Sequence, residues 1–225
     1  MRTLLRAWLP VLGVIACAAL IYLAAHWSSM SVTHRLSFTV AIMIVLHMFE
    51  EERLPGGFGY MYNVVLRRES IAPDRYPMSP FIVMVVDVTV FFVLFTPALF
   101  FPNIVWLGVA PMILAIMELL MHGGIGLFIQ RRKGMSIYNP GFATALLLAG
   151  IGVSYVAVIT CHNLIQGIEW LWAFLYWFGS LVVGLLLPEF GLKSRSTPWA
   201  FDGKHLLGYY RRYTTMDTVM RGPAA

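Results

Sequence analysis

The sequence predicts an all-α fold, a polytopic transmembrane helical bundle of about six spans with both termini cytoplasmic, and three observations carry that expectation. Hydrophobic residues make up 59% of the 225-residue chain and charged residues only 12%, with a mean hydropathy of +0.75, far outside the soluble norm. The apolar residues gather into runs of roughly 14 to 25, the length needed to cross about 30 Å of hydrocarbon. Basic residues crowd the loops between those runs, and they do so on alternate loops.

Taken in order, the spans are expected at about 8–26, 33–51, 80–101, 104–128, 140–160 and 164–187, a single domain over 1–190. Arg2 and Arg6 precede the first run, which reads as a span or a signal peptide; the apolar residues continuing past Cys17 favour the span. The second run ends in Glu50-Glu51-Glu52, and Pro55-Gly56-Gly57 then breaks the helix, leaving Tyr60 to Val65 at the interface. Span three holds one acid, Asp87, and span four holds Glu118 and His122. Asn139-Pro140 opens span five, Asn139 as its helix cap, and Pro188-Glu189 ends span six, Glu189 as an interfacial residue. Residues 191–225 form a basic, aromatic tail expected on the cytoplasmic membrane surface.

The charge distribution orients this layout. With both ends inside, Arg2, Arg6, Arg53, Arg67, Arg68, Arg75, Arg131, Arg132, Lys133 and the six basic residues of the tail are cytoplasmic, leaving only Arg35 outside. Trp27, Trp106, Trp170 and Trp172 fall at the opposite ends as an outer aromatic belt. The net charge of +5 therefore marks orientation and contact with membrane lipids, and not a nucleic-acid footprint. The two cysteines have no CxxC partner and define neither a disulfide framework nor a thiolate cluster.

Topology also decides which polar groups can meet. His47, Glu50 and Glu51 stand at i, i+3 and i+4 on one helix face, and Glu118 and His122 at i and i+4 on another. Spans two and four both descend toward the cytoplasm, and Asp87 starts about two turns into span three from the same side. His162 and Glu169 belong to the other leaflet. Ionisable groups at membrane depth are costly unless they pair, meet water or hold a metal. Two imidazoles with several carboxylates match the nitrogen and oxygen ligand set of zinc or of non-haem iron or manganese. The expected ligands are His47, His122, Glu50 and Glu118, with Glu51 and Asp87 as catalytic acid or base.

His47-x-x-Glu50-Glu51 near the end of an early span resembles the signature of the HXXEE family of small bacterial integral membrane proteins, as does the following Pro55-Gly56-Gly57-Phe58. His122, followed by Tyr138-Asn139-Pro140-Gly141 and Thr144, is similar to that family's second block, so the resemblance covers about residues 40 to 150. The position one turn before the second histidine is often Asn in the pattern and is Glu118 here, which ranks Glu118 behind the other ligands. The resemblance implies a multi-pass protein of the bacterial cytoplasmic (inner) membrane and brings no established activity.

The residues themselves support a metal-dependent hydrolase or oxidoreductase whose lipid-like or apolar substrate reaches a cytoplasm-facing pocket. Two other classes stay open. The same cluster suits a proton- or cation-coupled transporter, although the outer halves of the spans are nearly all apolar. A homo-oligomer, or a non-catalytic subunit of a larger membrane or pigment complex, would use the apolar spans for packing.

Overall fold

The structure is a computed structural model that describes residues 2–221; the last four residues of the expected tail, 222–225, lie outside the described residues. Among the described residues every regular element is helical, and six helices are long and apolar enough to cross a membrane: Thr3–Ser29, Val32–Glu52, Pro80–Phe100, Val105–Lys133, Phe142–Cys161 and Gly167–Leu192. They are spans one to six below.

Local chemistry sets the helix starts. The Ser31 hydroxyl accepts from the His34 amide at 3.2 Å to open span two, and Ser79 does the same for Ile82 at 3.3 Å, with Pro80 in the first turn of span three. Gln166 and Glu169 form a reciprocal capping box at the start of span six. Span six was expected to stop at Pro188, yet it runs on to Leu192. The helix widens to a π-helical turn over Val182–Leu186, and the wider turn takes the proline ring without a break. Span three uses the same device over Phe91–Phe95 ahead of Pro97. Pro97 has no N–H for the Val93 carbonyl, and the Tyr176 hydroxyl of span six donates to that oxygen instead.

Span two is the inner helix. It packs against spans one, four and five, while span four packs most closely against span five. Small residues permit that approach: a Cβ on Gly152 would lie 2.9 Å from the Met112 carbonyl oxygen, and one on Gly108 would collide with the Tyr155 ring.

The connection after span two and the C-terminal tail form one folded cap at the end of the bundle where span one begins and span six ends. Residues 58–66 are helical, and Met61, Asn63 and Val65 are buried rather than resting at an interface. The Asn63 amide pins the following loop, donating to the Pro73 and Met78 carbonyls and accepting from the Met78 amide at 3.0 Å. Leu206 and Tyr210 of the tail are fully buried, and the Tyr209 amide donates to the Gly56 carbonyl at 3.0 Å. Gly57 makes this contact possible, because its φ of 112° favours glycine and a Cβ there would lie 2.8 Å from the Leu207 carbonyl oxygen. Arg195 clamps the tail from its other end, donating to Glu69 at 2.7 Å.

Two outcomes are expected of this cap. Gly57→Ala should cost about 1–3 kcal/mol and expose the tail to limited proteolysis before the spans unfold. Burial pushes the Glu69 carboxyl up, but Arg195 and the Ile71 and Ala72 amides outweigh it and hold it below the ordinary 4.5. The contribution of the pair is therefore present above pH 4.5 and is lost only as pH falls through the lower folded value, so proteolysis at neutral pH should leave the wild-type tail intact and cut it in Glu69→Gln.

Candidate metal centre

Two helices present ligands one turn apart, and span five closes over them. His47 and Glu51 share a face of span two, and Glu118 and His122 share a face of span four. The two imidazoles are buried and meet edge to face, their centroids 5.1 Å apart. Glu51 Oε1 lies 3.7 Å from His47 Nε2 and 3.3 Å from His122 Nε2, and Glu118 Oε2 lies 3.7 and 3.6 Å from the same two nitrogens. Bond lengths of about 2.0–2.1 Å to zinc place tetrahedral ligands about 3.3 Å apart, close to the 3.3 and 3.7 Å between Glu51 Oε1 and the two imidazole nitrogens. One ligand atom from each of His47, Glu51 and His122 falls within 4.8 Å of the others, a buried triad that could hold a metal.

The outer hydrogen bonds decide what the two Nε2 atoms offer. The Asn139 amide nitrogen donates to the His122 carbonyl at 2.9 Å and to the Ile137 carbonyl, which turns its Oδ1 toward His122 Nδ1 at 2.5 Å. Since that oxygen only accepts, His122 Nδ1 carries the proton, and in the uncharged ring Nε2 is the atom with a lone pair to offer. The Thr144 hydroxyl gives its proton to Glu50 Oε2 at 2.5 Å and accepts from His47 Nδ1 at 2.9 Å, so His47 is fixed in the same tautomer. With both rings in that tautomer, the two Nε2 lone pairs face the Glu51 and Glu118 carboxylates. A cation satisfies that arrangement, and another hydrogen-bond acceptor would not.

Glu50, expected as a ligand, is turned to span five. Its Oε1 accepts from the Tyr138 hydroxyl at 2.9 Å and the Ala143 amide at 3.2 Å, and its Oε2 from the Thr144 amide at 2.8 Å. It caps the positive end of that helix, the position assigned to Asn139, while Asn139 holds His122 instead. Glu51, expected as acid or base, stands with the imidazoles. Positions 50 and 51 straddle the face of His47, and the partners on spans four and five sort them.

The remaining candidates fall nearby or elsewhere. Asp87 lines the same cavity as His47, Glu51, Glu118 and His122, and its Oδ2 is buried without a partner. Glu189 is buried away from the centre, accepting from Tyr62 at 2.8 Å and Arg67 at 2.9 Å. The cavity holds about 290 Å³ and is otherwise apolar, walled by residues such as Val86, Val90, Leu114, Met117 and Leu181. Trp177 also lines it, with a buried Nε1 that has no partner.

In the sequence Gly141 stood out only as the last residue of the Tyr138-Asn139-Pro140-Gly141 block. Its φ is 98°, and a Cβ would collide with His122 and stand 2.9 Å from His47 Cε1, so only glycine lets span five begin directly over both rings. Thr144, one helical turn later, gave no chemical signal of its own in the sequence.

No curated protein and no solved structure matches the chain. The model of a family described as "protein of unknown function with HXXEE motif" matches residues 38–156, from span two to span five. That stretch holds both imidazoles, the carboxylates facing them and the Asn139, Gly141 and Thr144 contacts that set them, and the chain belongs to the HXXEE family.

Proposed function

We propose that the chain is a membrane-embedded, metal-dependent enzyme that acts on a lipid-like or apolar substrate bearing one polar reacting group. The observation that carries this reading is the buried triad of His47, Glu51 and His122, with the Glu118 carboxylate beside both imidazoles, on the wall of an otherwise apolar cavity. Zinc, or iron or manganese, suits the nitrogen and oxygen donor set; when bound it supplies an electrophile and lowers the pKa of water beside it.

The protein's own groups divide the remaining work. His47, His122 and Glu51 hold the ion, and Thr144 and Asn139 keep both imidazoles aimed with Nε2 toward it. Glu118, half-buried and less enclosed than Glu51, is the carboxylate suited to move a proton to or from water at the reacting bond. Asp87, unpartnered on the same cavity wall, is the second proton carrier. The apolar walls exclude bulk water and receive a hydrocarbon body, and the Trp177 Nε1–H offers a donor to a substrate carbonyl or hydroxyl. The basic end of the bundle, which carries both termini, is assigned to the cytoplasm of a bacterial inner-membrane protein.

Elemental analysis of detergent-purified protein tests the centre. Wild type should carry about one ion per chain, and His47→Ala with His122→Ala should carry none. Glu51→Gln should lose the ion, whereas Glu50→Gln should keep it with affinity weaker by about 10–100-fold, the cost of disturbing an outer partner. A metal-free wild type that folds as well as a metal-supplemented one would sink the reading. Chelation should also lower Tm, by about 3 kcal/mol of stability where free ion had stood at about 100 times Kd.

A further inference from the structure

A second pair of cavities lies on the other face of span three. They share no lining residue with the central cavity. One is an apolar groove of about 370 Å³ between spans one and three, lined by Leu4, Val11, Ile15, Met84, Val88 and Phe92. The other is a polar recess of about 340 Å³ beneath the cap, lined by Arg6, Glu52, Arg53, Trp199, Asp202 and His205. Trp8 lines both, so the groove leads into the recess along one helix.

Taken with the adjoining cavity, the recess has more cations than carboxylates: Arg6, Arg53, Lys204 and Arg211 against Glu52 and Asp202. Arg67, Arg75 and Arg195 each pair with a carboxylate, but no ion pair among the described residues includes Arg6 or Arg53, nor Lys204 or Arg211 of an adjoining cavity. Arg53 instead donates to His205 Nε2 at 2.6 Å, and His205 Nδ1 donates to Asp202 at 2.8 Å, which fixes the guanidinium against a neutral partner. Glu52 Oε1 is buried there and receives no hydrogen bond. The recess thus presents two arginines free of ion pairs to an anion, with Lys204 and Arg211 in the cavity beside it, and one acceptor to a hydroxyl. Residues 4 to 15 of span one rise about 16 Å, close to half of a hydrocarbon core about 30 Å thick.

We propose that this groove and recess bind one anionic glycerophospholipid, its acyl chain between spans one and three, its phosphate at Arg6 and Arg53, and a headgroup hydroxyl at Glu52. Charge complementarity selects an anionic headgroup over a zwitterionic one, and the depth of the groove selects a lipid over a free anion. The cap is built partly from the tail, through His205 and Trp199, so the lipid ties the N-terminal span to the C-terminal segment.

Native mass spectrometry of the delipidated full-length protein, titrated with phosphatidylglycerol, phosphatidylcholine or inorganic phosphate, tests this. One phosphatidylglycerol should bind per chain, about tenfold more tightly than phosphatidylcholine. Arg6→Gln with Arg53→Gln should erase that preference. Val11→Trp, a change at an exposed position that fills the groove and leaves the cap intact, should weaken phosphatidylglycerol by a similar factor while the metal content of both variants stays at the wild-type level. Equal binding of the two lipids, or an unchanged preference in the arginine variant, would mean ordinary annular lipid and overturn the proposal. So would inorganic phosphate displacing the lipid with Val11→Trp having no effect, which would mean a free-anion site.

Discussion

The Glu50 carboxylate seated on the amides that open span five is the contact from which the rest of the centre follows. It neutralises the positive end of a buried helix, accepts from two backbone amides, and accepts from the Thr144 hydroxyl at 2.5 Å. That last bond leaves the Thr144 oxygen free only to accept from His47. A carboxylate that touches no candidate ligand atom thereby sets the tautomer of one, and it holds spans two and five in the register that places Gly141 over both rings.

Charge neutrality then constrains the cavity. Glu51, Glu118 and Asp87 all line it, with His47 and His122 as the basic side chains among them. Carboxylates removed from water cost several kcal/mol each unless something positive is near. A divalent ion between the two histidines would offset the two carboxylates that face them, leaving Asp87 as the residue with spare capacity for a proton. The same reasoning explains why the centre sits at a helix terminus: only there can the sequence supply both apolar walls and a carboxylate-bearing last turn.

The cap shows a different use of polar contacts. Asn63, the Glu69–Arg195 pair and the Tyr209–Gly56 backbone bond each join segments far apart in sequence, so the connection after span two and the C-terminal residues act as one unit. Tyr62 links that unit to span six through Glu189, and Tyr62 also lines the central cavity. The cap is therefore both a cover over the central cavity and the wall of the polar recess on the other side of span three.

The sequence alone determined the class and the spans, because apolar length is set by bilayer thickness and requires no knowledge of neighbours. It also determined that His47, Glu51, Glu118 and His122 fall on usable faces, since residues one turn apart on a helix must lie together. The tertiary structure decided that Glu51 and not Glu50 meets the imidazoles, that Asn139 orients His122 rather than capping span five, and that the tail folds against the Gly56-Gly57 turn. Those outcomes depend on how helices rotate and cross relative to one another. Rotation is fixed by contacts between distant residues, such as Gly141 against the two rings and Thr144 against Glu50, and helical periodicity carries no information about them.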